Sequence, residues 1–203
     1  MTISFWVILL AVLVYGLLHT LLASLKLKAL ARSWFGLKSD RWLRLAYNFI
    51  AVVTLLPILF LPVLLIDKEL YRIRFPWVII TLIIQGIALL VVLIGLRQTG
   101  IKSFIGVRQL FLPEDTTPPR LVTHGLYRYV RHPLYTAGLV FIWLFPIMTC
   151  NLLALNLGLT AYILVGAYFE ERKLLGEFGM AYASYRQRTP MLIPGLRLKR
   201  PDQ

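Results

Sequence analysis

Polar residues capable of chemistry are concentrated in one short stretch, residues 125–138, which reads GLYRYVRHPLYTAG. The stretch combines two arginines, a histidine, a proline and three tyrosines, and an apolar run, residues 139–148, follows directly. Basic and aromatic side chains of this kind bind anionic and planar groups. We therefore interpret the stretch as one half of a cofactor site at the edge of a membrane.

The second half of that site is expected at Glu170–Glu171, two adjacent carboxylates directly after an apolar run. Charged residues in or beside a membrane span are commonly functional, but these carboxylates can also be the hydrated end of a helix, neutralised by Arg172–Lys173. Adjacent helical side chains point about 100° apart. One carboxylate can therefore face a ligand while the other pairs with an arginine, and the sequence does not decide which.

The elements around these residues have the composition of membrane-spanning helices. Of the 203 residues, 59% are hydrophobic and the mean hydropathy is +0.74, as in an integral membrane protein. The N-terminal apolar run lacks the basic segment and the small-residue cleavage site of a signal peptide, so we expect a retained helix. The single cysteine, Cys150, excludes an intrachain disulfide.

Five apolar segments predict an all-α, polytopic membrane fold of a single domain, residues 1–203, although the fourth segment is short. Their approximate bounds are 3–25, 43–66, 77–96, 134–148 and 152–169. Pro57 and Pro62 should kink or thin the second segment. Residues 1–96 form three N-terminal transmembrane helices, and residues 97–203 form the expected cofactor-binding catalytic region.

The distribution of basic residues predicts the orientation in the lipid bilayer. Only Lys68, Arg72 and Arg74 lie between the second and third helices, which leaves 19 of the 22 lysines and arginines on the opposite side. By the positive-inside rule that side is cytoplasmic, so the N-terminus is expected outside a cell (inner) membrane and the C-terminus inside. These flanking loops also explain the net charge of +13, so nucleic-acid binding is not expected.

Equal spacing is expected to bring the two halves of the site together. Asn151 lies nineteen residues after His132 and nineteen before Glu170. Two antiparallel helices joined near Asn151, each roughly 27–29 Å long, would return His132 and Glu170 to a similar depth at the cytoplasmic interface. Pro133 suits the first turn of such a helix, where its missing N–H is not needed.

A cytoplasmic amphipathic helix is predicted after this hairpin and is expected to end at Thr189–Pro190. Its apolar face follows the i, i+3, i+4 spacing through Leu174, Leu175, Phe178, Ala181, Tyr182 and Tyr185.

His19, inside the first span, is expected to hydrogen-bond a neighbouring helix, with haem ligation as an alternative. The three histidines lack the spacing of a metal site, so no metal is expected.

These motifs resemble the isoprenylcysteine carboxyl methyltransferase-like superfamily of integral membrane enzymes. The resemblance rests on the pattern G-x-Y-x-x-x-R-H-P-x-Y-x-x-G, followed by E-E, F-G-x-x-Y-x-x-Y and I-P, over residues 125–194. Residues 95–100 (GLRQTG) and 19–24 (HTLLAS) look more similar to one branch, the bacterial methanethiol S-methyltransferases. The resemblance implies an enzyme that uses S-adenosylmethionine.

The resemblance also implies roles for the matching positions. The first cofactor motif corresponds to Gly125, Tyr127, Arg131, His132, Pro133, Tyr135 and Gly138. The second corresponds to Glu170 and Glu171, and a C-terminal lid-like helix corresponds to Tyr182, Tyr185 and Arg186. Arg131, Glu171 and Arg186 are the residues expected to act in catalysis. One departure is Thr136–Ala137, where the family often has a glycine soon after the motif tyrosine.

The chemistry of S-adenosylmethionine agrees with these residue types. Its sulfonium and amine complement the two carboxylates, its carboxylate complements Arg131 and His132, and aromatic rings can stack on its adenine. A small thiol such as methanethiol is the leading acceptor, and nearby positive charge would favour its thiolate. A prenylated cysteine carboxylate or a phospholipid amine are alternative, lipophilic acceptors. A haem-binding membrane isomerase or reductase-associated protein is the alternative from another class.

Overall fold

The structure, a computed structural model, describes residues 2–36, 39–99 and 120–196. Within these ranges the helices are α1 Ile3–Ala23, α2 Leu25–Phe35, α3 Ser39–Leu64, α4 Trp77–Thr99, α5 Pro133–Trp143, α6 Cys150–Phe178 and α7 Met180–Arg188. The strands are β1 Glu69–Arg72 and β2 Ile147–Thr149, and a 3₁₀ helix spans Gly125–Arg128.

Four helices of the described ranges are long and apolar enough to cross a membrane. They are α1, the segment Leu45–Leu64 of α3, α4 and α6. A helix satisfies all its internal backbone hydrogen bonds, which is what a spanning segment needs in lipid. Pro57 and Pro62 lie inside α3 without ending it. The chain is therefore a helical membrane protein, as predicted.

The fourth predicted span, residues 134–148, is not confirmed as a full-length helix. It contains only the 11-residue α5 and then the short strand β2. An 11-residue helix rises only about 16 Å, roughly half of the hydrocarbon core. Pro146 accounts for the early end, because proline has no N–H to donate and disfavours helical geometry in the residue before it. The predicted hairpin of two full-length helices is therefore not confirmed, because a short helix and a strand precede the long helix α6.

The described chain falls into two compact units, and the first contains α1–α3, both strands and α6 as far as Tyr162. Its buried core combines residues of α1 and α6, namely Phe5, Ile8, Val12, Ala154 and Leu155. The two helices pack closely because α6 carries Gly158, where a Cβ would lie 3.0 Å from Val12.

Asn151 joins several elements of this first unit. Its fully buried side chain donates to the carbonyl oxygens of Leu65 and Ile66 at 3.3 and 3.2 Å, just after α3. Its backbone N–H donates to Asp67 Oδ1 at 3.0 Å. Beside it, β1 and β2 pair in antiparallel register. Asn151 therefore satisfies carbonyl groups left over at the end of a helix.

His19 of α1 also lies in the first unit, among three tyrosines. Its Nε2 is hydrogen-bonded to Tyr47 Oη of α3. Its ring centroid lies 5.6 Å from those of Tyr15 and Tyr162. The hydrogen bond to a neighbouring helix that the sequence favoured is therefore present.

The second unit contains α4, the 3₁₀ helix, α5, the remainder of α6 and α7. The buried Gln85 of α4 donates to the carbonyl oxygen of Phe141 in α5 at 2.9 Å. Helix α6 continues through both carboxylates to its end, where Gly179, with φ of +53°, turns the chain into α7. The single amphipathic helix predicted for this region is therefore not confirmed, because its residues are divided between the end of α6 and α7.

Candidate active site

The stretch GLYRYVRHPLYTAG forms a turn that brings His132 to the start of α5. Gly125 has φ of +64°, a left-handed conformation that favours glycine. A Cβ at this position would also lie 2.8 Å from Cδ of Gln98, whose Oε1 accepts a hydrogen bond from the N–H of Leu126 at 3.3 Å. His132 is the N-cap residue of α5 and Pro133 begins the helix, as predicted.

Arg131 and Glu171 form a buried ion pair at the centre of the site. Arg131 Nε donates to Glu171 Oε1 at 2.6 Å, and Arg131 Nη2 lies 2.5 Å from the same oxygen. The two side chains are only 10% and 7% exposed. Arg131 Nη1 also donates to the carbonyl oxygens of Arg186 and Thr189, at 3.1 and 2.5 Å. Since buried charges are stable only when paired, Glu171 is the carboxylate that holds an arginine.

Glu170 is the more accessible of the two carboxylates, with 43% of its side chain exposed. Tyr135 Oη donates to Glu170 Oε2 at 2.8 Å. His132 lies between the carboxylates, with Nδ1 3.6 Å from Glu170 Oε2 and Nε2 3.4 Å from Glu171 Oε1. Its ring stacks on that of Tyr135 with centroids 5.2 Å apart. The structure thus brings His132 and Glu170 together, as predicted, although the chain from His132 to Asn151 is not the continuous helix that the spacing argument assumed.

A segment after α7, residues 189–192 and here termed the C-terminal strap, is hydrogen-bonded to the start of α5. The backbone N–H groups of Arg131 and His132 donate to the carbonyl oxygens of Pro190 and Met191, at 2.9 and 3.1 Å. Proline at position 190 has no N–H, so its carbonyl is the only backbone group that it can pair. The strap therefore fixes α7 to the histidine stretch.

The tyrosines of α7 lie against the same cluster. Tyr182 is 1% exposed, and its buried Oη has no hydrogen-bond partner in the described ranges. Tyr185 Oη donates to the carbonyl oxygen of Tyr127 at 2.6 Å. Burial raises the pKa of Tyr182, with the charge of Glu171 adding to the effect, and burial raises the pKa of Tyr185 to about 12. Both phenols are therefore neutral hydrogen-bond donors near neutral pH.

Most of the residues expected in the site lie in this one cluster. They are Tyr127, Arg131, His132, Pro133, Tyr135, Glu170, Glu171, Tyr182 and Tyr185. Arg186 takes part through its carbonyl oxygen, and Gly125 shapes the turn. At Gly138, in α5, a Cβ would meet no described atom within 4 Å, so the backbone there borders open space.

Thr136 belongs to the cluster and was not predicted from the sequence. Its Oγ1 donates to the carbonyl oxygen of Leu192 in the C-terminal strap at 2.7 Å, and it lies 3.1 Å from that of His132. A threonine four residues after a helix N-cap often bonds back to that residue, which was an available signal. The sequence contained no signal for the hydrogen bonds of the strap, because every residue carries a backbone carbonyl.

Among the described residues, no group of three or more His, Cys, Asp or Glu side chains could hold a metal ion.

A family model described as phospholipid methyltransferase matches residues 77–182, which is more than half of the chain. The matched region runs from α4 to Tyr182 and includes the histidine stretch and both carboxylates. The chain therefore belongs to the phospholipid methyltransferase family, and the resemblance to membrane methyltransferases is confirmed.

Curated relatives include methanethiol S-methyltransferase 2 of Bradyrhizobium diazoefficiens, 43% identical over 101 residues, which cover 48% of this chain and 39% of that protein. Methanethiol S-methyltransferase of Mycobacterium tuberculosis is 40% identical over 95 residues, covering 45% and 39%. Protein-S-isoprenylcysteine O-methyltransferase of Tribolium castaneum is 31% identical over 122 residues, covering 55% and 42%. The chain thus spans about two fifths of the length of these relatives. No solved structure gives a significant match.

Proposed function

We propose that this protein is an integral membrane methyltransferase that uses S-adenosylmethionine and S-methylates a small thiol such as methanethiol. The observation that carries the proposal is the convergence of His132, Tyr135 and the accessible Glu170 beside the buried Arg131–Glu171 pair. Membership of the family supports methyl transfer. The relatives named methanethiol S-methyltransferase support a thiol acceptor.

The cluster fits a ligand that carries both cationic and hydrogen-bonding groups. Glu170 offers a partly exposed carboxylate to a sulfonium or an ammonium. Tyr182 Oη is buried without a hydrogen-bond partner in the described chain, and such an atom is costly unless a ligand or water supplies one. Together with His132, which lies between the two carboxylates, Glu170 and Tyr182 would hold the methyl donor.

The residues of the cluster supply binding, orientation and charge. When bound, S-adenosylmethionine would contribute an electrophilic methyl group on its sulfonium. Glu170, held by the Tyr135 hydrogen bond, would orient the donor, and orientation contributes much of the acceleration of a displacement between two molecules. A thiol acceptor must first lose its proton, and a nearby cation favours the thiolate. We assign that electrostatic role to the half-buried Arg186, in the last turn of α7.

In the membrane, we propose that the N-terminus lies outside and that the site opens on the cytoplasmic side. The support is the uneven distribution of lysine and arginine along the sequence. Part of that count, including Lys38, Lys102 and Arg108, lies outside the described residues. A cytoplasmic site would face the compartment in which a water-soluble methyl donor is available.

A prenylated cysteine carboxylate is a second candidate acceptor, favoured by the similarity to protein-S-isoprenylcysteine O-methyltransferases. The haem alternative is not favoured, because the relatives are methyltransferases and His19 Nε2 is bonded to Tyr47.

Purified protein in detergent, supplied with S-adenosylmethionine and methanethiol, should release dimethyl sulfide, measured in the headspace by gas chromatography. The matched control is Glu177→Gln, an exposed carboxylate on the same helix as Glu170. We expect product with this control and little with Glu170→Gln. Methylation of a prenylated peptide with no dimethyl sulfide would instead assign the carboxylate acceptor.

A further inference from the structure

We infer that Arg131 is a positioning residue, which holds Glu171 and the C-terminal strap in place and does not itself contact the methyl donor. This inference rests on the proposed function for the identity of the site, and it assigns the arginine a different task from the one the sequence motif implied. Its basis is the set of contacts that the guanidinium makes with the described residues.

Four of the five N–H groups of the Arg131 guanidinium have partners within the protein. Nε and one Nη2 hydrogen are directed to Glu171 Oε1, at 2.6 and 2.5 Å. Nη1 donates to the carbonyl oxygens of Arg186 and Thr189, at 3.1 and 2.5 Å. The charge of Arg131 is also balanced by Glu171, so it is a poor partner for a second carboxylate.

The same residues join three separate segments of the chain. Glu171 lies in α6, Arg186 in the last turn of α7 and Thr189 at the start of the strap. The backbone N–H of Arg131 adds a hydrogen bond to Pro190 O at 2.9 Å. Arg131 is thus bonded to the strap through both its side chain and its backbone, and the strap adjoins the helix that carries Tyr182.

Loss of the guanidinium should therefore release the strap. The carbonyl oxygens of Arg186 and Thr189 would lose a donor, and Glu171 would be left buried without its counterion. A lysine has three donors on one nitrogen and cannot match the planar fork that reaches Glu171 and both carbonyls at once. Arg131→Lys should therefore keep the charge but restore only part of the strap contacts.

Limited digestion with trypsin measures release of the strap directly, because Arg188 is exposed immediately before it. We expect the rate of cleavage after Arg188 under native conditions to rise by about 10-fold or more in Arg131→Gln, and by less in Arg131→Lys. The matched control is Arg128→Gln, which changes an exposed arginine three residues before Arg131 and should leave the rate of cleavage after Arg188 unchanged.

Because Arg131→Gln leaves a carboxylate buried and unpaired, the double variant Arg131→Gln/Glu171→Gln forms a second arm that removes both charges together. It should still show rapid cleavage after Arg188, while unfolding at a higher temperature than Arg131→Gln alone. Affinity for S-adenosylhomocysteine should fall in the same order as strap protection, with Arg131→Lys between wild type and Arg131→Gln.

The inference would be overturned if the cleavage rate stayed at the wild-type value in Arg131→Lys, Arg131→Gln and the double variant. It would also be overturned if Arg131→Gln lost affinity for S-adenosylhomocysteine while its strap was still protected from cleavage. The latter result would mean that Arg131 contacts the donor. Failure of folded wild-type protein to bind S-adenosylhomocysteine would instead count against the proposed function, whatever the digestion shows.

Discussion

Glu170 and Glu171 provide a direct test of the site, because the same substitution should lower ligand affinity at the first position and protein stability at the second. Glu171 is 7% exposed and lies 2.5 Å from Arg131 Nη2. Glu170 is 43% exposed and accepts one hydrogen bond, from Tyr135 Oη at 2.8 Å. Replacing either residue with glutamine removes a charge and changes the side-chain volume very little.

The expected magnitudes follow from these environments. Glu171→Gln leaves the Arg131 guanidinium buried without its counterion, and breaking a buried ion pair costs about 3–5 kcal/mol. At this chain length such a loss lowers the unfolding temperature by roughly 6–20 °C. Glu170→Gln removes a partly solvated charge and keeps an acceptor for the phenol, so stability should change by no more than about 0.5 kcal/mol. A charge-assisted contact with the methyl donor is worth about 1.5–3 kcal/mol, so the affinity should fall about 10- to 150-fold.

Thermal unfolding followed by tryptophan fluorescence, with isothermal titration by S-adenosylhomocysteine, measures both quantities on the same preparations. Glu177→Gln, exposed on the same helix, is the matched control and should resemble wild type in both. We expect Glu170→Gln to be stable but to bind weakly, and Glu171→Gln to be unstable. Wild-type affinity in Glu170→Gln, or wild-type stability in Glu171→Gln, would refute the reasoning.

Packing and titration give two further predictions. Gly158→Ala should destabilise the protein by about 1–3 kcal/mol, because its Cβ would lie 3.0 Å from the stiff, β-branched Val12. Gly166→Ala on the same helix meets open space and should be neutral or stabilising by up to about 1 kcal/mol, and thermal unfolding compares the two. Burial raises the pKa of Tyr185 to about 12. In the folded state this phenol therefore keeps its proton at a pH at which the unfolded chain has already lost it. Stability should therefore fall as the pH rises from about 10 to about 12, and unfolding temperatures measured against pH should fall less steeply in Tyr185→Phe than in the exposed control Tyr129→Phe.

The membrane character could be predicted from the sequence, because apolar length decides whether a helix can span a bilayer. The proximity of His132 and Glu170 was also predicted, but the predicted route, a continuous helix from His132 to Asn151, is not the one observed. The predicted fourth span failed on a local detail, since Pro146 ends α5 after Trp143. The division of the C-terminal helix at Gly179 had the same kind of local cause, a positive φ.

The different environments of Glu170 and Glu171 could not be predicted. Which carboxylate is buried depends on the rotation of α6 relative to Arg131, and Arg131 is held in turn by carbonyl groups of the C-terminal strap. Backbone carbonyls are present at every residue, so the sequence contains no signal for those that accept hydrogen bonds from a distant arginine. Tyr182 Oη, which has no hydrogen-bond partner among the described residues, likewise became apparent only from its burial in the structure.

The central claim is that the cluster around Glu170, His132 and Tyr182 binds S-adenosylmethionine. Its most direct test is isothermal titration of folded, detergent-purified wild-type protein with S-adenosylhomocysteine, the demethylated product. We predict saturable binding at one site per chain that His132→Ala abolishes or greatly weakens. The absence of binding to protein that still shows a cooperative thermal transition would contradict the account.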